Sequence, residues 1–346
     1  MTTLDEALGR LAEGGSCHAD IAAIISKLAQ AAITVRGVIT DGALGSAFAG
    51  PRSSRNSGGD IQHELDVRAD ELFMAAMHKA PVALYATEEL DRPVQLDRRA
   101  QLAVAIDPLD GSSNIDTNVS IGTIFSILPV AGNPSEDPMA TFLQPGSAQL
   151  AAGFFIYGPQ LALVLTWGEK TEIYIHSARH DAFVRAHAER QIARKAGEFA
   201  INASNYRHWD EPIRLYIDDC LQGSDGPREK DYNMRWIASL VADCYRIIMR
   251  GGVFLYPGDK RPGYAKGRLR LVYEANPIAM LVENAGGMAT DGQRKIMDLQ
   301  PSELHERTPL IFGSADEVAR IGRYHAHPSD IPERAPLFGL RGLFRV

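Results

Sequence analysis

A layered α/β fold in two halves is predicted by the sequence, on three observations. Amphipathic helical periods alternate with short, wholly apolar runs; strand-like segments dominate the middle of the chain; and a polar run from Ala186 to Glu198 precedes a second helix–strand alternation. With 346 residues, 45% hydrophobic and 23% charged, the chain is long enough for a sizeable core, which excludes disordered and collagen-like readings. The net charge of -7 argues against nucleic acid and anionic membranes as partners. Cys17, Cys220 and Cys244 are odd in number, with no C-x-x-C spacing, so neither a disulfide framework nor a zinc site is indicated and a reducing, cytoplasmic setting is expected. Met1 to Leu11 has no secretory pattern. Leu150 to Trp167 is about a membrane span in length, but Gly158-Pro159-Gln160 divides it into two strands and a turn.

Apolar residues at helical spacing (Ile21, Ile24, Ile25, Leu28, Ala32, Val35) predict a helix over 18–35, ended at Arg36-Gly37. Thr40 to Gly59, rich in Gly, Ser and Ala, reads as a long surface loop of a length often functional. Leu65 to Lys79 is helical and leads into a buried strand, Pro81 to Tyr85, that ends at Glu88-Glu89; Leu102 to Ile106 is a second, ending at Asp107-Pro108. Gly122 to Val130, the hairpin and Glu172 to His176 add strands. A domain boundary is placed near residue 197, giving an N-terminal domain over 1–196 and a C-terminal domain over 197–346. Beyond it, Tyr232 to Met249 reads as an amphipathic helix closed by Gly251-Gly252, and Val253 to Tyr256 and Leu269 to Tyr273 as strands. Asn276-Pro277 reads as an N-cap and first-turn proline, opening a helix that stops at Gly286-Gly287.

The chemistry concentrates in Asp107-Pro-Leu-Asp-Gly-Ser-Ser-Asn-Ile-Asp116. A buried strand delivers Asp107, and Asp110 returns a second carboxylate to the same mouth, as a site for two divalent cations requires. Gly111, Ser112, Ser113 and Asn114 offer backbone N–H groups and hydroxyls to a phosphate. Alone, Asp-x-x-Asp-Gly fits a tight turn with carboxylate caps at least as well. The context favours metals: Glu88 and Glu89 end one strand, Glu274 ends another, and Asp60 and Asp66 frame the loop and helix start. With no His or Cys cluster beside them, oxygen ligation of a magnesium type is implied. Arg268 and Arg270 alternate along one strand and would share a face, although a charged edge strand fits equally well. Arg235 and Lys230, with Tyr206 and Tyr256, are candidates for a second phosphate or ordinary surface residues.

These motifs, with Ser120-Ile-Gly-Thr-Ile-Phe125, Leu143-Gln-Pro-Gly146, Phe254-Leu-Tyr-Pro257 and Gly267-Arg-Leu-Arg-Leu-Val-Tyr-Glu-Ala-Asn-Pro277, resemble class 1 fructose-1,6-bisphosphatase, within the lithium-sensitive, metal-dependent phosphatases, from about His18 to Gly313. The resemblance implies a sugar-phosphatase fold, two αβ halves in an αβαβα sandwich, hydrolysing fructose 1,6-bisphosphate to fructose 6-phosphate and phosphate in gluconeogenesis or the Calvin cycle. It implies Glu88, Asp107, the carbonyl of Leu109, Asp110 and Glu274 as metal ligands, with Asp60 closing over the site. Two or three Mg2+ per subunit are expected, with Mn2+ or Zn2+ as substitutes. Asp66 and Glu89 resemble the pair that activates water; Asp110, Gly111, Ser112, Ser113 and Arg270 would meet the 1-phosphate. Asn202, Tyr206, Tyr256 and Arg268 would meet the 6-phosphate, with Arg235 contributed by a neighbouring subunit of a homotetramer.

Departures from the family pattern are Arg268 for a usual Lys, Trp236 for a usual Tyr, and one extra residue in Ile201 to Tyr206, so that Asn202 and Asn205 compete for one role. Arg268 can hold a phosphate bidentately. The N-terminal Gly-x-Gly-Glu stretch of AMP-inhibited relatives is missing, Gln101-Leu102 replaces a Lys-Tyr pair and Pro129 a basic residue, so insensitivity to AMP is expected. Activity on sedoheptulose 1,7-bisphosphate is the first alternative. An inositol-phosphatase-like enzyme and a non-catalytic metal-binding protein are weaker alternatives, since Asp66, Glu89, Asp107, Asp110 and Glu274 are all present.

Overall fold

The computed structural model describes residues 1–41, 51–55, 61–168 and 170–326. Seven helices lie among them: α1 (Leu4–Ala12), α2 (Ser16–Asp41), α3 (Glu64–Met77), α4 (Glu211–Leu221), α5 (Leu240–Arg250), α6 (Asn276–Asn284) and α7 (Ala315–Ala326). The strands of the first half are β1 (Pro51–Arg55), β2 (Ile61–His63), β3 (Val82–Thr87), β4 (Val94–Gln95), β5 (Leu102–Asp110), β6 (Ile121–Pro129), β7 (Ala151–Tyr157), β8 (Leu161–Thr166), β9 (Glu172–Ser177) and β10 (Ala182–His187). Those of the second are β11 (Glu198–Ala200), β12 (Asn233–Met234), β13 (Val253–Tyr256), β14 (Leu269–Arg270), β15 (Met288–Thr290), β16 (Arg307–Thr308) and β17 (Leu310–Gly313).

One eight-stranded sheet runs β10-β9-β8-β7-β6-β5-β3-β4, with only β3 and β5 parallel; a five-stranded sheet runs β12-β11-β13-β17-β15. The side chains alternate across β5. Leu102, Val104 and Ile106 join Ile24, Ile25, Leu28 and Phe73 in a core under α1, α2 and α3, while Ala103 and Ala105 face Tyr273 and Phe142. The opposite face of β6, β7 and β8 (Ile124, Phe154, Val164) packs on α5 and α6, which also cover Phe254, Leu310 and Phe312 of the second sheet. Phe199, Leu255 and Ile311 on that sheet's far face meet α4 and α7. The result is an αβαβα sandwich. By length and composition α2 is long and apolar enough to cross a membrane, but its apolar residues are committed to the first core.

Several expectations need correction. The unforeseen α1 is opened by a reciprocal cap: Thr3 Oγ accepts from the Glu6 N–H at 3.2 Å, and Glu6 accepts from the Thr3 N–H at 3.0 Å. Helix α2 continues through Gly37 to Asp41, a mid-helix glycine costing only about 1 kcal/mol. The loop expected over 40–59 begins in the last turn of α2 and carries β1, which pairs antiparallel with β2 just beyond it; 42–50 and 56–60, Asp60 included, lie outside the described residues. The polar connector after β10 is packed rather than free, with Ile192 and Ala196 buried and Ile192 N–H donating to Ala285 O at 2.7 Å. The expected helix over 232–249 begins only at Leu240. Upstream, Asn233 N–H and Arg235 N–H donate to Gly197 O and Phe199 O at 2.8 Å, committing that backbone to a parallel ladder, and Ala238 turns left-handed at φ 63°. The expected strand over 269–273 ends at Arg270: Leu271–Ala275 is a π-helical turn, closed by Asn276 N–H on Leu271 O. Asn276 is therefore helical (φ -61°) rather than an N-cap, and Glu274 sits in the wide turn rather than at a strand end.

Candidate active site

Asp107 and Asp110 share a mouth because β5 is bulged between them. Asp107 pairs with Ile124 and Asp110 with Gly122, so three steps along β5 match two along β6. A regular strand would put residues three apart on opposite faces; the extra residue returns Asp110 to the side of Asp107. The bulge is held from within: Leu109 N–H donates to Asp107 Oδ1 at 3.0 Å, and the hydroxyl of buried Thr123 donates to Pro108 O at 2.8 Å while lying 2.9 Å from the Tyr157 hydroxyl. Glu274 enters from the π-helical turn, and one carboxylate oxygen each from Asp107, Asp110 and Glu274 lies within 4.8 Å of the others. All three are buried.

Burial pushes their acids upward: Asp107 and Glu274 well above the usual carboxylate range, and Asp110 to about 7, with Glu88 a repelling neighbour of each. Three buried carboxylates drawn together at such cost fit the hard oxygen donor set of a divalent cation. Glu88, at the exit of β3, leans to Arg270, whose Nη2 lies 3.2 Å from its Oε1; the Arg270 N–H donates to the Glu274 carboxylate. Arg270 is only 2% exposed, so this cation belongs to the acid cluster. Asp66, on the first turn of α3, is buried, and the Glu89 N–H donates to Thr87 Oγ1 at 3.3 Å.

The second half closes the mouth. Gly111, at φ 77°, opens a 3-10 turn over Ser112–Thr117, and Asn114 Nδ2 donates to Ala238 O at 2.7 Å. The first turn of α5 sits on Asp110, with Val241 N–H 3.0 Å from Oδ2. Gly122 makes this possible, since a Cβ there would lie 2.5 Å from a Val241 methyl. Gly122, Thr123, Tyr157 and the start of α5 are contributors that motif reading missed, as it missed the tie of Asn114 to Ala238; the glycine inside an apolar strand was the available signal.

Candidates for a second phosphate are more scattered. Tyr256 forms an aromatic cluster with Trp236 and Phe254. Arg268 lies against the Tyr264 and Tyr256 rings, at 3.9 Å and 5.9 Å from their centroids, whereas Arg270 is buried beside Glu88, so the expected shared strand face does not exist. The Asn202 side chain caps Ser204, and it is Asn205 that reaches Arg261. The Tyr206 hydroxyl donates to Asp218 at 2.8 Å. Half-exposed Arg235 lies 3.7 Å from Glu198, and Lys230 is tied to Ala196 O at 3.0 Å.

The family model for the N-terminal domain of fructose-1-6-bisphosphatase matches residues 4–188, and that for the C-terminal domain matches residues 192–326. The class 1 fructose-1,6-bisphosphatase of Rhizobium meliloti (strain 1021) is 62% identical over 335 residues, 97% of this chain and 96% of its own length. That of Azorhizobium caulinodans is 53% identical over 88% of this chain and 93% of its own. The crystal structure of Leishmania major fructose-1,6-bisphosphatase in holo form superposes with a TM-score of 0.87 at 30% identity, covering 94% of this chain and 99% of that one. With its buried carboxylate mouth, its sandwich of two sheets and these similarities along nearly its whole length, the chain belongs to the fructose-1,6-bisphosphatase family of metal-dependent sugar phosphatases.

Proposed function

We propose that this enzyme hydrolyses D-fructose 1,6-bisphosphate to D-fructose 6-phosphate and phosphate with Mg2+. The observation that carries this reading is the buried group of Asp107, Asp110 and Glu274 facing the glycine-led loop of Gly111 to Ser113. Asp107, Asp110, Glu274, Glu88 and the Leu109 carbonyl would hold two or three Mg2+. When bound, these ions neutralise phosphate oxygens and lower the pKa of the attacking water. The chain's own groups do the rest. Gly111, Ser112 and Ser113 bind the 1-phosphate oxygens, Arg270 supplies a fixed positive charge beside them, and Asp66 with Glu89 takes a proton from the water that attacks phosphorus in line as the bond to the carbon-1 oxygen breaks, a proton then returning to that oxygen to complete the alcohol. The 6-phosphate falls to Tyr256 and Arg268, with Asn202 and Tyr206 on the same side and Arg235 reaching in from a second subunit of a homotetramer. The reading also includes insensitivity to AMP, a cytoplasmic location, and a division into domains near residue 197.

Phosphate release from fructose 1,6-bisphosphate, sedoheptulose 1,7-bisphosphate and inositol 1-phosphate, with Mg2+, tests the reading. Fructose 1,6-bisphosphate is expected to be hydrolysed, and Asp110→Asn to lose about 1,000-fold or more in kcat. Release from inositol 1-phosphate alone, or undiminished turnover in the variant, would overturn it. Strong inhibition by micromolar AMP would overturn the regulatory part alone.

A further inference from the structure

We propose that Arg261 and Tyr264 are positioning residues that set the Arg268 guanidinium for the phosphate at the far end of the sugar. This deepens the bisphosphatase reading above and rests on it. The loop that carries them, 258–267, is closed on itself: Tyr264 O accepts from Asp259 N–H at 3.1 Å and from Gly267 N–H at 3.0 Å, and Tyr264 N–H donates to Arg261 O at 3.1 Å. Lys260 N–H ties it to His208 O at 3.2 Å. A Cβ on Gly258 would lie 2.5 Å from Ala265 O, and one on Gly267 (φ 78°) would lie 2.4 Å from the Thr308–Pro309 backbone. The residue preceding Arg268 is thus fixed in place and in conformation.

On this frame the two arginines have different work. Arg261 is neutralised: its Nε lies 2.9 Å from Asp259 Oδ1, its Nη2 pairs with Oδ2, and the same Nη2 donates to Asn205 Oδ1 at 2.9 Å. Its guanidinium carbon sits 4.9 Å from the Tyr264 centroid, so it braces the ring. Arg268 forms no ion pair at contact distance among the described residues, although Asp259 feels its charge, and its guanidinium carbon lies 3.9 Å from the Tyr264 centroid, with Tyr256 at 5.9 Å. A guanidinium lying against a ring keeps its cationic group by the aromatic face while its N–H edge stays free for the paired oxygens of a phosphate. A lysine has no planar fork to orient in this way.

The test compares fructose 1,6-bisphosphate with fructose 1-phosphate, which lacks the distal phosphate, in Tyr264→Leu, Tyr264→Phe and Arg261→Gln. Tyr264→Leu is expected to raise KM for the bisphosphate about tenfold with kcat changed by less than about twofold, the signature of lost uniform binding. Arg261→Gln is expected to shift KM in the same direction, and Tyr264→Phe to stay near wild type because the platform needs the ring and not the hydroxyl. Turnover of fructose 1-phosphate should be unchanged in all three. Equal losses on both substrates, or an unchanged bisphosphate KM in both Tyr264→Leu and Arg261→Gln, would overturn the assignment. Failure of the underlying reading has a different signature, a wild-type enzyme that does not hydrolyse the bisphosphate.

Discussion

Replacing Gly122 by alanine should separate the two halves of the site. The added Cβ would stand 2.4 Å from the Phe155 carbonyl oxygen and 2.5 Å from a Val241 methyl, and widening the latter to even a 3.0 Å contact requires a displacement of about 0.5 Å. Phe155 lies in β7, laddered on both sides by β6 and β8, so the first turn of α5 is the element that yields. Val241 N–H, now 3.0 Å from Asp110 Oδ2, would move to about 3.5 Å and leave the normal hydrogen-bond range. A hydrogen bond to a charged group is worth about 1.5–3 kcal/mol, and overpacking costs about 1–3 kcal/mol. Gly122→Ala is therefore expected to lower the melting temperature by several degrees and kcat by about 10- to 100-fold through misplacement of Asp110. Thermal denaturation and steady-state kinetics on the purified variant measure both. Adding Val241→Ala should recover part of each loss, since it relieves the methyl contact and leaves the backbone one. A variant with wild-type kcat and melting temperature would refute the argument.

Metal removal should make stability fall with rising pH. Burial raises the folded-state pKa of Asp110 from 3.8 to about 7, and raises Asp107 and Glu274 as well, so between these limits the folded chain holds protons that the unfolded chain has lost. In chelator the melting temperature is expected to decline from pH 5 to pH 8, with Mg2+ restoring more at the upper end; a rise across that range would contradict the sign. Thr123→Val, which deletes the donor to Pro108 O, should weaken Mn2+ binding about tenfold by calorimetry while Thr123→Ser retains it. Unchanged affinity in the valine variant would remove the hydroxyl from the support of the bulge. Arg228 and Glu317 form a buried pair at 2.7 Å joined by Tyr216 and Tyr232, so Arg228→Met should cost about 3–5 kcal/mol of stability with KM unaltered. A melting temperature within about one degree of wild type would show that the pair contributes little.

What the sequence disclosed and what it hid divide along physical lines. Wholly apolar runs located the β3, β5, β6 and hairpin strands, helical spacing located α2 and α3, and the Asn-Pro and Gly-Gly signals bounded α6, because burial on two faces, burial on one face and helix ends each leave their mark in residue order. The start of α5 was misplaced because Met234, Ile237 and Val241 keep helical spacing through a segment whose backbone is claimed by the ladder with β11. Glu274 was assigned to a strand end because the short run Leu269-Arg-Leu-Val-Tyr273 cannot by itself distinguish strand from π-helical turn. The acidic residues of the mouth were legible as residue types at strand ends. Their convergence was not, since it depends on a bulge, and the contacts of Asp110 with α5 and of Arg261 with Asn205 are long-range facts that no local pattern encodes.

Two departures from regular backbone, the bulge at Pro108-Leu109 and the wide turn at Leu271–Ala275, have a joint consequence for how this chain can change. Each is a surplus residue, and deleting one would heal the local geometry. A β5 shortened by Leu109 would form a clean ladder with Asp110 still on the side of Asp107, but without the Leu109 N–H that Asp107 accepts and the Leu109 carbonyl offered to the metals; a shortened wide turn would become ordinary α-helix and swing Glu274 about 100° around its axis. Single-residue deletions here would yield chains that fold at least as readily as the parent and have lost the chemistry. Screens that select on folding or expression alone, and redesigns that idealise backbones, would favour such chains, so in this family the irregular positions are the ones a stability-driven search should hold fixed.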